Sequence, residues 1–279
     1  MREREVTTRV VDLAAAMRRR GPYRVPAPAE VAVARELAEA LAGGDGEAAR
    51  AVGVRLGLEA TAFGEDLLLA SDPTGERAWL VVVARPGTAP DAVVEVPHPN
   101  ADLDTERIGL AVQERRARTL YLQAGAHRLA GAPSWVRERA DCPADVSSRR
   151  DAPFSRVAAV LAARGLPQVQ LHGFADRDGL DVVLSPGAAR GGPLLAAVRQ
   201  RLVAAGERVA TEPDPRCDDL LGRLNVQGRA ADRAGSAFVH LELSRSLRRD
   251  AVRRDAVAEA LAGALDGVSC ERACGDPGV

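Results

Sequence analysis

The sequence contains four histidines, at positions 98, 127, 172 and 240, and three of them follow short apolar runs. Val93-Val94-Glu95-Val96-Pro97 leads into His98, Val169-Gln170-Leu171 into His172, and Leu120-Tyr121-Leu122-Gln123-Ala124-Gly125-Ala126 into His127. His98 opens the acid-rich stretch Asn100-Ala101-Asp102-Leu103-Asp104-Thr105-Glu106, and the fourth histidine lies in Phe238-Val239-His240-Leu241-Glu242-Leu243. A histidine with an acid a few residues on, joined by a histidine from another strand, is a mononuclear zinc arrangement. Zinc takes nitrogen and carboxylate ligands, and a catalytic site leaves its fourth position to water. The expected ligands are His98, Asp102 and His172, with Asp104 the alternative acid of that loop. Such a site needs a further carboxylate, off the metal, that takes a proton from water. Glu242 suits that role, because a glutamate inside an apolar strand is almost never fully buried without a partner. Strand alternation puts Glu242 on the face of His240 and turns Leu241 and Leu243 to the other. A structural ion pair with Arg245 or Arg248 is the competing use for it. Asp102 and Asp104 could likewise serve only to start the helix that follows.

The elements that must position these groups follow from apolar spacing. Val6, Val10, Leu13 and Met17 recur at helical period, and a second helix spans about Pro28 to Ala42, stopped by Gly43-Gly44. Beyond about residue 52, short apolar runs alternate with amphipathic stretches. Strands are expected at 66–70, 78–84, 92–96, 119–123, 169–172, 181–184, 208–211 and 237–243, and helices at 104–116, 154–164, 193–205 and 251–265. That alternation argues an α/β fold with a mostly parallel or mixed central sheet, helices on both faces, and an N-terminal helical segment. Residues 1–52 are expected to be a helical accessory segment and residues 53–279 the α/β domain. Parallel sheets bind ligands beyond the carboxyl ends of their strands, where His98, His127 and His172 fall.

Composition narrows the function. The 279 residues are 46% hydrophobic and carry 38 cations against 39 acids, a balance that selects neither nucleic acid nor a membrane surface as partner. All the cations are arginine. Without lysine, the chain cannot be a P-loop NTPase, a protein kinase or a pyridoxal enzyme. No apolar run approaches the ~20 residues of a membrane span, and the charged start Met1-Arg2-Glu3-Arg4-Glu5 is not a signal peptide. A cytoplasmic location is the expectation. Cys142, Cys217, Cys270 and Cys274 form no CxxC pair, and the last two, in a Gly-rich tail, suit a disulfide or no bond rather than a metal. HExxH, GxSxG and GxGxxG are absent. Basic doublets such as Arg115-Arg116 lack the aromatic interleaving of single-strand nucleic-acid binders.

Three segments together resemble the zinc carboxypeptidase-like superfamily, particularly its N-formylglutamate amidohydrolases and phage poly-γ-glutamate hydrolases. They are Val96-Pro97-His98-Pro99-Asn100-Ala101-Asp102, Val169-Gln170-Leu171-His172-Gly173-Phe174, and His240-Leu241-Glu242-Leu243-Ser244-Arg245. The resemblance covers about residues 90 to 265. It departs from the peptidases' usual motif in placing the acid four residues after His98, where they have a glutamate at three. The polar segment from Asp145 to Asp151 also has a counterpart before the second histidine. The resemblance implies a zinc-dependent amidohydrolase, cutting a peptide, γ-glutamyl or N-acyl amino acid bond with a metal-activated water and Glu242 as general base. It implies a substrate carrying a carboxylate, bound bidentately by arginine. Candidates are Arg149, Arg150, Arg245 and Arg128, with Asn225 orienting substrate or forming a turn and His127 beside them. Two other readings suit the sequence: a non-catalytic relative binding a small ligand or peptide on the same fold, and a metal-free esterase or interaction domain using the N-terminal helices.

Overall fold

A computed structural model describes residues 4–136, 142–177, 179–189 and 191–274, with the side chains of 268–274 left out. Three helices come first, α1 (Glu5–Ala16), α2 (Pro28–Ala42) and α3 (Gly46–Arg55). Then follow β1 (Glu59–Phe63), β2 (Asp66–Ala70), β3 (Leu80–Ala84), β4 (Ala92–Val96), α4 (Thr105–Arg115) and β5 (Thr119–Ala124). The chain continues through α5 (Pro153–Ala163), β6 (Gln168–Phe174), β7 (Val182–Ser185), α6 (Pro193–Ala204) and β8 (Val209–Ala210). After a 3-10 turn at Pro215–Leu220 come α7 (Val226–Ala234), β9 (Phe238–Ser244), α8 (Arg245–Arg249) and α9 (Ala251–Cys274).

The strands form one mixed sheet in the order β1-β2-β3-β5-β4-β6-β9-β7-β8. Its centre, β5, β4, β6 and β9, is parallel, while β1 to β3 and the β7–β9 pairing are antiparallel. From β4 the chain pairs first to one side with β5 and then to the other with β6. The order therefore reverses at β4, the kind of switch point at which open α/β sheets form ligand crevices.

Central strands buried on both faces can be apolar on both, yet here one face is interrupted. Val94, Val96, Val169, Leu171, Val239, Leu241 and Leu243 join a core with α1, α4, α6 and α9. On the opposite face Leu120, Leu122 and Val93 pack with α2, α3 and α5. There the alternation also places Glu95, Gln170, His172, His240 and Glu242, all buried. Leu241 and Leu243 face away from Glu242, as expected.

Among the elements that depart from the sequence expectation, two do so for clear local reasons. β1 has no apolar run, because it is a half-exposed edge strand with only β2 beside it. α7 begins in the segment read as a possible turn, with Asn225 as its N-cap. The N-terminal helices do not project an apolar face outward. Val6, Val10 and Leu13 enter one core and Leu37 and Leu41 the other. α9 runs through Cys274, but the question of a Cys270–Cys274 bond falls on side chains outside the described residues. Among the described residues, no helix is long and apolar enough to cross a membrane.

Candidate metal centre and cleft

The loop after β4 is built to aim two side chains inward. The His98 carbonyl accepts from the amides of Ala101 and Asp102, and the Thr105 hydroxyl donates to the Asp102 carbonyl at 2.8 Å. Asn100 and Asp104 take left-handed backbones, φ 59° and 70°, which short polar residues tolerate. Asn100 Nδ2 donates to the Met17 carbonyl, tying the loop to the end of α1. Arg248 secures the other side, donating to the carbonyls of Leu103, Leu243 and Phe174. Its guanidinium passes over Gly173, where a Cβ would lie 2.4 Å from it, so any side chain after His172 would have to displace the arginine from its carbonyls.

His98, Asp102 and His172 then converge, with one ligand atom from each within 4.8 Å of the others. The Nδ1 atoms of His98 and His172 stand 3.1 Å apart, and Asp102 Oδ2 lies 3.2 Å and 3.6 Å from them. Zinc bonds of ~2.0–2.1 Å imply a tetrahedral edge of about 3.3 Å, which these separations straddle. The far nitrogens show which atoms are free. His98 Nε2 lies 2.9 Å from Asp145 Oδ1, and His172 Nε2 lies 2.8 Å from Gln170 Oε1. Both partners accept, so both Nε2 atoms carry protons and both Nδ1 lone pairs face each other and the Asp102 carboxylate. Two lone pairs and an anionic oxygen at these distances repel; Arg128 Nη1, 3.3 Å from His98 Nδ1, offsets part of this, and a cation or a proton between them offsets the rest. The donor set therefore fits zinc. Asp104 stays outside it, paired with Arg107 at 3.3 Å.

The charge balance agrees. Burial pushes the Asp102 carboxyl up, but the His172 and His98 imidazoles against it hold it well below the usual carboxylate range. Asp145 is likewise raised by burial and lowered further by His98 and Arg128, so it is a carboxylate behind the first histidine. Burial and Arg128 press His98 down, and Asp145 and Asp102 outweigh them, so it binds a proton more readily than free imidazole. Burial and the charges of His240 and His98 keep His172 neutral, well below its ordinary value. A carboxylate behind a ligating imidazole is the usual support for a metal-binding histidine.

The donor set opens into a cleft of about 790 Å³ lined by Arg128, Ser147, Arg177, Asn225, His240 and Glu242, among others. Glu242 pairs with His172 across the parallel β6–β9 register, so the two lie side by side on one face. Its Oε1 lies 3.7 Å from His240 Nε2, and its Oε2 has no hydrogen-bond partner. It makes no pair with Arg245, which is exposed on α8, or with Arg248, which is spent on the three carbonyls.

Of the residues expected to hold substrate, the structure brings Asn225 and Arg128 to the cleft. Arg149 donates to the Cys142 carbonyl and Arg150 is exposed; neither lines the cleft, and nor does Arg245. His127 accepts from the Leu129 amide at 3.1 Å, and burial with nearby Arg19 and Arg128 pushes it down to about 4, a neutral ring closing its own turn. Both groups of the Asn225 amide are engaged, one on the first turn of α7 and one on Gln170. Sequence reasoning missed Asp145 as the partner of His98, along with Gln170, Glu95, Arg177 and Arg223. Two of these had a visible signal: Glu95 and Gln170 are polar residues inside apolar strands, Gln170 two positions before His172 and Glu95 two positions before the loop that carries His98.

No family model matches the chain, and no curated protein sequence matches it. Solved structures that it resembles include a bacteriophage poly-gamma-glutamate hydrolase, 16% identical, TM-score 0.47, covering 69% of this chain and 90% of that one. A succinylglutamate desuccinalase from Vibrio parahaemolyticus is 11% identical, TM-score 0.44, covering 75% and 77%. A metallo-carboxypeptidase from Burkholderia cenocepacia is 14% identical, TM-score 0.41, covering 81% and 69%. The first belongs to one of the two groups that the sequence motifs resemble.

One group beneath the site gives a pH signature. Burial pushes Glu95 up to about 8, against the hydrogen bond from Gln170 that lowers it. An unfolded glutamate titrates near ~4.3. Between these values the folded chain keeps a proton that the unfolded chain releases. The stabilisation is thus whole below about 4.3 and is lost as pH rises to about 8, at up to about 1.4 kcal/mol per pH unit. Glu95→Gln should flatten that decline in urea denaturation of chelator-treated protein at pH 5, 6.5 and 8. Parallel declines in parent and variant would clear Glu95 of the effect.

Proposed function

We propose that this chain is a zinc-dependent hydrolase of an amide bond, of the peptide, γ-glutamyl or N-acyl amino acid type. The observation that carries this reading is the pair of imidazole lone pairs converging on Asp102, with an unpartnered Glu242 carboxylate beside them in an open cleft. His98, Asp102 and His172 would hold the ion. Zinc supplies Lewis acidity there, polarising a carbonyl and acidifying water. Glu242 takes the proton of the attacking water on Oε2 and returns it to the leaving amine. Arg128, fixed by Asp145 and with Nη1 3.3 Å from His98 Nδ1, would place a positive charge beside the reacting carbonyl. A substrate carboxylate finds further guanidinium groups in Arg177 and Arg223, which line the cleft and pair with Asp219 and Glu212.

Elemental analysis of protein purified without chelators tests the reading, together with hydrolysis assays on N-acyl-glutamate and γ-glutamyl peptides. Zinc at one ion per chain, and turnover that chelation removes and zinc restores, are the expected results. A chain that takes up no zinc from a zinc-buffered solution would end the proposal.

A further inference from the structure

Asn225, Gln170, His172 and Glu95 form a buried chain of hydrogen bonds whose directions are all determined from one end. That end is the first turn of α7. The amides of Gln227 and Gly228 donate to Asn225 Oδ1, at 2.9 Å and 3.4 Å. Backbone N–H groups only donate, so this oxygen cannot exchange places with the side-chain nitrogen. Asn225 Nδ2 must then face Gln170, and it donates to Gln170 Oε1. A side-chain amide nitrogen offers no lone pair, so Gln170 has to present its oxygen there. The same oxygen lies 2.8 Å from His172 Nε2, which must therefore carry the ring proton. The nitrogen left with a free lone pair is Nδ1, the one 3.1 Å from His98 Nδ1 and 3.6 Å from Asp102.

Glu95 closes the chain without choosing its direction. Gln170 Nε2 donates to Glu95 Oε2 at 2.6 Å, and Glu95 Oε1 is buried with no partner. A carboxyl kept neutral by burial can donate or accept, so it would tolerate the Gln170 amide either way round. The reversed amide would turn its NH₂ to His172, make Nε2 the acceptor and move the ring proton to Nδ1, which then could not bind a metal. Among the described residues, Asn225 is the group that forbids that state.

We infer that Asn225 and Gln170 are positioning residues that lock the tautomer of His172, so that the N-cap of α7 dictates, through two amides, which nitrogen faces the metal. The inference rests on the zinc reading above. It gives Asn225 a different task from touching substrate, and it explains a glutamine two residues before His172 inside a buried strand.

Asn225→Asp separates this role from a structural one. Aspartate caps helices about as well as asparagine, so α7 keeps its start, but the group facing Gln170 becomes an acceptor and reverses the amide. Gln170→Leu removes the relay altogether. The readouts are zinc affinity by chelator competition and the imidazole ¹⁵N shifts of His172 in the zinc-free full-length protein. The parent should show His172 protonated on Nε2. Both variants should bind zinc ~10- to 100-fold more weakly, the range for losing a supporting partner of a ligand. Asn225→Asp should also move the proton to Nδ1 while its melting temperature stays at the parent's. The lock is overturned if Asn225→Asp binds zinc within about twofold of the parent, or if His172 in the parent is protonated on Nδ1. Should Gln170→Leu not fold, Asn225→Asp decides alone. A parent that binds zinc beside an unaffected Asn225→Asp sinks the lock and spares the metal site; a parent that binds none sinks both.

Discussion

Glu242→Gln is expected to abolish turnover, by ~10²- to 10⁴-fold for the loss of a general base, while zinc content and melting temperature stay at the parent's. The amide has almost the shape of the carboxylate and cannot accept a proton at neutral pH. The structure argues that stability will survive. Glu242 Oε2 has no partner, and Oε1 has only His240 at 3.7 Å. The arginine that a structural role would need, Arg248, is bound to three carbonyls instead. Removing one partner of a buried ion pair costs several kcal/mol, so a large fall in melting temperature would assign Glu242 to the scaffold. An active Glu242→Gln with normal zinc would remove it from the mechanism. Full zinc in a parent that hydrolyses none of the amide substrates would instead favour a binding protein.

Asp102→Asn should cost more zinc affinity than any change behind the ligands, well beyond the ~10- to 100-fold typical of a supporting partner. It removes the only anion among the three ligand atoms, the one lying 3.2 Å and 3.6 Å from the two imidazoles. Asp104→Asn is the matched control. Asp104 is two residues further on, but its carboxylate is turned to Arg107, and zinc binding should not change. Thermal melts provide a second readout. Zinc at a hundred times its dissociation constant stabilises the folded chain by about 2.7 kcal/mol, which in a domain somewhat smaller than this raises the melting temperature by roughly 5–10 °C. Asp102→Asn should lose that rise at the same zinc concentration and Asp104→Asn keep it. The reverse pattern would transfer the ligand role to Asp104.

The two acids show where sequence reading stops. Both fit the spacing after His98, and both suit the start of α4. What separates them is the loop's hydrogen bonding, with Asn100 and Asp104 in left-handed backbones and Arg248 holding the Leu103 carbonyl from α8, 145 residues away in sequence. No local pattern encodes that contact. Nor could local reading find the partners of the histidines. Asp145 reaches His98 from 47 residues away and Asn225 reaches Gln170 from 55, so both supports exist only once the sheet has assembled.

Apolar periodicity located most of the elements without a fold, because periodicity is a local property. α2 spans the predicted Pro28–Ala42, β2 and β4 fall on their predicted residues, and the alternation of β9 sets Glu242 against Leu241 and Leu243. The sequence also determined the chemistry on offer, since residue types at strand ends are visible without a fold. The tertiary structure decided which arginines meet the cleft. All 38 cations look alike in sequence, and the choice of Arg128, Arg177 and Arg223 over Arg149, Arg150 and Arg245 came from loop paths and ion-pair partners. It also decided which nitrogen of each histidine is free, because a tautomer depends on the group behind the ring, and chain folding alone brings that group there.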